Sequence, residues 1–209
     1  MRRSLKIYPQ DTSSELVVEH FANANLPTKY GHFRIWAFTT NLDEKEHVAL
    51  VCGDVAGKED VLIRVHSECL TGDVFGSRRC DCGEQLHHAM EVIASEGQGI
   101  LLYLRQEGRG IGLANKIKAY GLQDLGMDTV EANVHLGFDD DLREYDVAAK
   151  MLELLEVKSV KLMTNNPNKV AGLEDAGIKV SSRLPIKILA NPFNTNYLNV
   201  KKNKSGHIL

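Results

Sequence analysis

No apolar run in this chain comes near the roughly 20 residues that a membrane-spanning helix needs. The opening stretch, Met1 to Gln10, has two early arginines but no apolar core of signal-peptide length. Basic residues are not in excess: 25 lysines and arginines face 28 aspartates and glutamates, so a net charge of −3 gives no global field for nucleic acid. Internal repeats, low-complexity tracts and linkers are also missing. These absences predict a cytoplasmic protein with neither a membrane nor a nucleic-acid partner. What is present is ordinary globular material: 209 residues, 43% apolar and 25% charged, are enough to bury a core.

Disulfides are a poor use for the four cysteines. In a reducing compartment clustered cysteines serve more often as metal ligands, and Cys80-x-Cys82 would close a very tight ring. Cys52 ends the apolar run Val48 to Cys52, the usual setting of a buried inert thiol. Cys69, Cys80 and Cys82 crowd into one short stretch, and a thiolate triplet suits zinc. Structural zinc sites usually close with four protein ligands, whereas catalytic ones use three and leave a position for water. No fourth ligand has an obvious place, so the count favours a metal that activates water. A structural knuckle with a remote fourth ligand is the alternative. His66, three residues before Cys69, is either a ligand or simply part of a strand. His87 and His88 are adjacent on a predicted helix, where at most one can face a metal.

The pattern predicts an α/β fold: a mixed sheet with a β-rich antiparallel N-terminal half and β-α crossover units in the C-terminal half. Residues 1–25 read as a peripheral segment, and 26–209 as a single domain. Strands are expected at Gly31–Thr40, His47–Val55 and Val61–His66, their short polar connections predicting an antiparallel meander. After Cys82 the period changes. Helices are expected over Glu84–Glu96, Gly110–Leu125, Glu144–Glu156 and Asn168–Ala176, with strands at Gly99–Leu104 and Ser159–Met163. In the second of these helices Leu113, Ile117 and Tyr120 fall on or near one face.

Three further runs can carry chemistry. Tyr103 to Leu113 follows a strand and opens a helix, with Gly108, Gly110 and Gly112 allowing close backbone approach and Arg105 and Arg109 matching phosphate geometry. It is neither a P-loop nor a dinucleotide fingerprint, and simple packing of the turn is the plain alternative. Asp139 to Asp141 crowd acidic charge near a helix start, which reads as capping or as a general base beside Arg143. Thr164 and Lys169 flank an Asn-Pro-Asn turn and could meet a phosphate there.

Taken together these runs resemble GTP cyclohydrolase II, the enzyme family that opens the guanine ring of GTP at the start of riboflavin synthesis. The resemblance is carried by Arg64-Val-His-Ser-Glu-Cys-Leu-Thr-Gly-Asp73, Arg79-Cys-Asp-Cys82 and Arg105-Gln-Glu-Gly-Arg-Gly-Ile-Gly-Leu113. It continues through Ala119 to Asp124, Asp128 to Asn133, Leu136-Gly-Phe138, Leu162 to Pro167, and the C-terminal Asn196-Tyr-Leu and Lys204 to Leu209. It implies one zinc per chain on Cys69, Cys80 and Cys82. It implies nucleotide contacts from Arg64, Val65, His66, Ser67, Glu68, Gln85, Glu107, Gly108, Arg109, Thr129, Thr164 and Lys169. Asp141 would be the proton acceptor, Arg143 the nucleophile toward the α-phosphate, and Tyr120 a tyrosine near the reacting ring. Formate, pyrophosphate and a diaminopyrimidinone ribosyl phosphate would be the products, with Mg²⁺ at the triphosphate and a homodimer as the usual assembly. The length leaves no room for the dihydroxybutanone phosphate synthase domain that often precedes this one, so the resemblance implies a monofunctional form.

Residue chemistry fits this reaction. Hydroxide generated on zinc can attack a poorly electrophilic ring carbon at neutral pH. Tyr120 can supply a proton to the leaving nitrogen, and Glu107 can accept from guanine N1–H and the amino group. An arginine nucleophile is chemically odd, because the guanidinium stays protonated; Arg143 is better suited to clamp the phosphoryl group. One departure stands out: the family's Asp-Glu-Arg-Asp reads Asp141-Leu-Arg-Glu144 here, which removes one charge and lengthens another side chain. Two other readings remain. One is a sister activity that stops at the formamidopyrimidine or takes another purine nucleotide. The other is a nucleotide-binding regulatory protein with a structural zinc.

Overall fold

The computed structural model describes residues 15–139, 141–204, 206 and 208. Residues 1–14 of the expected peripheral segment, Asp140, and Ser205, His207 and Leu209 of the C-terminal motif lie outside the described residues. Along the chain run β1 (Val18–Thr28), β2 (Gly31–Thr40), β3 (His47–Cys52), β4 (Val61–Ser67), the single turn α1 (Leu70–Asp73) and α2 (Cys82–Glu96). There follow β5 (Gly99–Leu104), α3 (Leu113–Asp124), α4 (Thr129–His135), α5 (Asp146–Leu154), β6 (Val160–Met163), α6 (Pro167–Asp175), β7 (Val180–Leu184) and α7 (Thr195–Lys204).

The strands form one sheet in the order β1-β2-β3-β5-β4-β6-β7. Pairings from β1 to β5 are antiparallel and those from β5 to β7 are parallel, as the expected fold class requires. Two expectations need correcting. The antiparallel meander is β1-β2-β3, and Val61–Ser67 is not its third strand: β5 inserts between β3 and β4, and β4 runs parallel to it. The boundary drawn at residue 25 also falls inside β1, so the sheet begins before it, at Val18. That edge strand is largely exposed: its apolar residues are small, like Ala22 and Ala24, or solvent-facing, like Phe21, and a register shift between His20 and Ala22 breaks its period.

Period-2 alternation assigns the two faces of the sheet. Ile63, Val65, Ile100, Leu102 and Leu104 point to the face covered by α5 and α6, where Met151, Leu152 and Leu173 are fully buried. Leu62 and Leu101 point to the other face, packing with Ala89, Met90 and Ile93 of α2. Cys52 is buried in this second layer, as its apolar run predicts. Helix α2 stops at Gly97, whose φ of 70° is the left-handed conformation that glycine adopts without strain. The same alternation puts Arg64 and His66 on the α2 side of β4, near its carboxyl end. The chain leaves β4 for β5 on one side and returns to β6 on the other. Such a switch point, at the carboxyl ends of parallel strands, is where open α/β sheets form crevices.

A cysteine-lined candidate active site

The loops that leave β4, β5 and β6 converge there on one cavity. Arg64, His66, Ser67, Glu68, Cys69, Cys80, Cys82, Gln85, Glu107, Gly108, Arg109, Tyr120, Thr129, Arg143, Thr164 and Lys169 all line it. Two expected residues do not. The Val65 side chain belongs to the core, and only its carbonyl serves the site, accepting from Lys169 Nζ at 2.7 Å. Asp141 reaches the site through Arg143, accepting from its backbone N–H at 3.1 Å and its Nε at 2.7 Å, with a second guanidinium nitrogen on the other oxygen.

One end of the cavity is built on sulfur. The ligand atoms of Cys69, Cys80 and Cys82 lie within 4.8 Å of one another, and the Cys69 and Cys80 sulfurs are 3.7 Å apart. Gly72 makes that convergence possible. A Cβ at this position would lie 2.9 Å from the Cys80 sulfur and 3.2 Å from that of Cys69, so any side chain would fill the space the three sulfurs enclose. The cluster can hold a metal ion, and no other group of this kind occurs among the described residues. His66 is not part of it. Its Nε2 faces both carboxylate oxygens of Asp73, at 3.0 and 3.1 Å, and Asp73 also accepts from the Tyr103 hydroxyl and the Cys69 amide, each at 2.9 Å. Burial pushes the His66 pKa down, which leaves a neutral ring bracing the loop.

Lys116 of α3 closes this end. Its ammonium stands 3.1 Å from the Cys69 sulfur and 2.7 Å from Glu107 Oε1. Hydrogen bonds from Cys80 and Cys82, together with Lys116, hold the Cys69 thiol far below the usual range. Hydrogen bonding to Cys69 pushes Cys80 up to about 11, and Cys82, bonded to both Cys69 and Cys80, goes higher still. Burial alone would lower Lys116, but the Cys69 thiolate and Glu107 outweigh it and keep the ammonium charged. Glu107 also accepts from the Gly108 and Leu70 amides, at 2.9 and 2.7 Å. Three of its four acceptor sites are thus filled by protein groups, so its first duty is to brace the cysteine loop. Tyr120 bonds Thr71 Oγ1 at 3.2 Å, and that hydroxyl lies 3.7 Å from the Cys69 sulfur. Burial raises the Tyr120 pKa and keeps its proton in place.

The other end is cationic. Arg64 donates to the Met163 carbonyl at 2.8 Å and to Gln85, while its Nε is buried without a partner. Burial lowers it to about 10. Lys169 lies well below the ordinary lysine range, first through burial and then through the charges of Arg64 and Arg143. Buried cations that repel one another, with Asp141 as the carboxylate beside Arg143, make a seat for a polyanion. Arg109 enters from the turn after β5, where Gly108 and Arg109 both have left-handed backbone, φ 63° and 59°. A non-glycine residue held in that region is strained, a cost met at sites where backbone must approach a ligand.

The model of the GTP cyclohydrolase II family matches residues 19–185. The chain belongs to this family. It is 58% identical over 194 residues to riboflavin biosynthesis protein RibBA of Bacillus subtilis (strain 168), an alignment covering 92% of this chain and 49% of that protein. RibBA of Chlorobium phaeovibrioides (strain DSM 265 / 1930) is 52% identical over 193 residues, covering 92% of this chain and 47% of that one. The chain therefore spans about half the length of the curated relatives it matches. Among solved structures, RibBX, a two domain 3,4-dihydroxy-2-butanone 4-phosphate synthase from A. baumannii, aligns with a TM-score of 0.41 and 19% identity. That alignment covers 80% of this chain and 40% of the other.

The departures from the family's Asp-Glu-Arg-Asp pattern lie outside the cavity lining. Leu142 is 45% exposed; its amide bonds the Arg109 carbonyl at 3.0 Å, and its Cβ lies 3.0 Å from where a Cβ on Gly110 would sit, so it packs on the outside of the glycine turn. Glu144 is exposed, and its carbonyl accepts from Gln106 at 2.8 Å. Helix α3 also turns a different face inward than its apolar residues predict: Leu113 and Ile117 are exposed, while Lys116 and Ala119 are buried. Lys116 precedes Tyr120 by four residues, a same-face spacing that was the available signal for it. Asp73, Asp81, Tyr197 and Lys201 likewise belong to the site's surroundings, and nothing in their local spacing marks them.

Among the described residues no helix is long and apolar enough to cross a membrane.

Proposed function

We propose that this chain hydrolyses GTP to 2,5-diamino-6-(5-phospho-ribosylamino)pyrimidin-4(3H)-one, formate and pyrophosphate, the first step of riboflavin biosynthesis, with zinc as its metal. The observation that carries this reading is a single cavity with two unlike ends. Converging sulfurs beside a protonated tyrosine form one end, and buried, mutually repelling cations form the other.

Cys69, Cys80 and Cys82 would hold one zinc per chain, since three soft sulfur donors around a space free of side chains suit that ion. When bound, zinc supplies Lewis acidity and activates water near neutral pH. Lys116 and Glu107 keep the Cys69 loop in place. Tyr120 holds a proton that it can give to the ring nitrogen released on opening. Arg64, Arg143 and Lys169 bind the triphosphate, which carries Mg²⁺, and Thr164, Thr129 and Arg109 complete its surroundings. Asp141 orients Arg143 and stands ready as a proton acceptor. Partners raise the Arg143 pKa, so its guanidinium stays charged; this favours an electrostatic clamp on the phosphoryl group over a nucleophile. The same proposal includes a cytoplasmic homodimer, to which the exposed Val74, Phe75, Leu113 and Ile117 can offer apolar surface.

The test is incubation of the purified, zinc-assayed protein with GTP and Mg²⁺, following formate and pyrophosphate together. Equal amounts are expected, and Cys80→Ser should lose both along with bound zinc. Pyrophosphate without formate would restrict the chain to phosphate chemistry. Neither product, with GTP bound, would make it a binding protein.

A further inference from the structure

Helix α7 lies beyond the span that the family model matches, which ends at 185, although the resemblance reaches it at Asn196-Tyr-Leu198, and Tyr197 and Lys201 form part of the cavity wall. Its sequence, Thr-Asn-Tyr-Leu-Asn-Val-Lys-Lys-Asn-Lys, carries almost no apolar stripe to dock it. Val200 is its one buried apolar side chain, and what ties the helix to the cysteine loop is polar. Lys201 is 8% exposed and donates to Asp81 Oδ1 at 2.8 Å. Asp81, 2% exposed, stands between Cys80 and Cys82, and its other oxygen accepts from Gln85 at 2.5 Å. Asn194, buried just before the helix, reaches the Cys80 carbonyl at 3.5 Å. Near the chain's end the Ile208 amide donates to the Asn165 carbonyl at 2.9 Å, on the β6 side of the cavity. A lysine this deeply buried is costly unless its pairing is needed. Here the pairing falls on the one residue that separates two of the three sulfur donors.

We infer that α7 is a working part of the catalytic site, with Lys201 as the positioning residue that holds the Cys80-Asp81-Cys82 turn in register with Cys69. The inference rests on reading the cysteine cluster as the zinc site. Tyr197, half-buried beside Lys201 with the ammonium 4.5 Å from its ring centre, adds a flat wall to the same end of the cavity.

The experiment uses the whole 209-residue chain and Lys201→Met, which keeps side-chain length and removes the charge. Zinc affinity is read by competition with a chromogenic chelator, alongside kcat and KM for GTP. The expected result is zinc binding weakened by about 10–100-fold, the usual effect of losing a partner behind a ligand, with kcat reduced and KM little changed. Lys201→Arg should recover most of the zinc affinity. A helix that only stabilises the fold would lower the unfolding temperature and leave zinc affinity in the folded protein within a factor of about two, which would overturn the inference. Should Lys201→Met not fold, Lys201→Gln reads the same loss of charge with a donor retained. Wild-type protein that binds zinc but releases no formate would sink the proposed activity. The chelator competition would still decide the role of Lys201.

Discussion

The ammonium of Lys116 lies 3.1 Å from the sulfur of Cys69 and 2.7 Å from the carboxylate of Glu107, tying α3 to the loops after β4 and β5. Lys116→Met removes both contacts and leaves Glu107 buried without its ion partner. The expected cost is about 3 kcal/mol of stability, measured by urea unfolding. Unchanged unfolding would contradict this account of the loop.

Gly72 and Gly121 make a matched pair. A Cβ at Gly72 would press on two ligand sulfurs, whereas one at Gly121, inside α3, would meet nothing within 4 Å. Gly72→Ala is expected to fold but bind less than one metal ion per chain, as read by metal analysis after dialysis. Gly121→Ala should keep its metal and gain roughly 0.5–1 kcal/mol from better helix propensity. Equal metal content in the two variants would show that the sulfurs do not need the space beside Gly72.

Lys169 tests the cationic end. Its ammonium is buried, bonded to the Val65 carbonyl, and repelled by Arg64 and Arg143. Lys169→Met should weaken binding of a non-hydrolysable GTP analogue by about tenfold or more, the worth of one charge-assisted contact. Relief of the repulsion should leave the thermal midpoint within a few degrees of wild type. Calorimetric titration and a melting curve check both; intact nucleotide affinity would remove Lys169 from the phosphate seat.

A pH dependence follows from His47 in β3. Burial holds its pKa below the ordinary value, and its Nδ1 accepts the Arg105 amide at 3.2 Å. Below about pH 6.5 the unfolded chain therefore takes up the proton more readily than the folded one, and stability falls as pH falls. The stability gap between wild type and His47→Asn should narrow between about pH 7.5 and about 5.5. His66, also buried and lowered, is present in both proteins and cancels in the difference. A gap that widens toward acid would show that His47 is protonated in the fold.

The candidate site was legible where its residues are close in sequence. Cys80 and Cys82, the glycine turn after β5, and Thr164 with Lys169 each fall in a strand-to-helix connection or in the first turn of the helix it opens, which periodicity locates well. What escaped depends on contacts made by the folded sheet. Nothing local says that β5 inserts between β3 and β4, so the third strand of the meander was misplaced. Strand β1 is an exposed edge with a register shift, helix α7 is too polar to show a strong period, and nothing local to Lys116 and Lys201 announces their buried partners, Glu107 and Asp81. The Asp141-Leu-Arg-Glu144 departure changes two residues that do not line the cavity, a separation that adjacency to Arg143 in the sequence hides.

The most direct test of the central claim, that the sulfur end of the cavity opens the guanine ring, is turnover of GTP labelled with carbon-13 at C8, followed by NMR with pyrophosphate measured in parallel. The label is expected to appear as free formate, one for each pyrophosphate released, and to stay in the nucleotide when Cys80→Ser replaces the wild type. Label that remains in an intact purine while pyrophosphate accumulates would contradict the account.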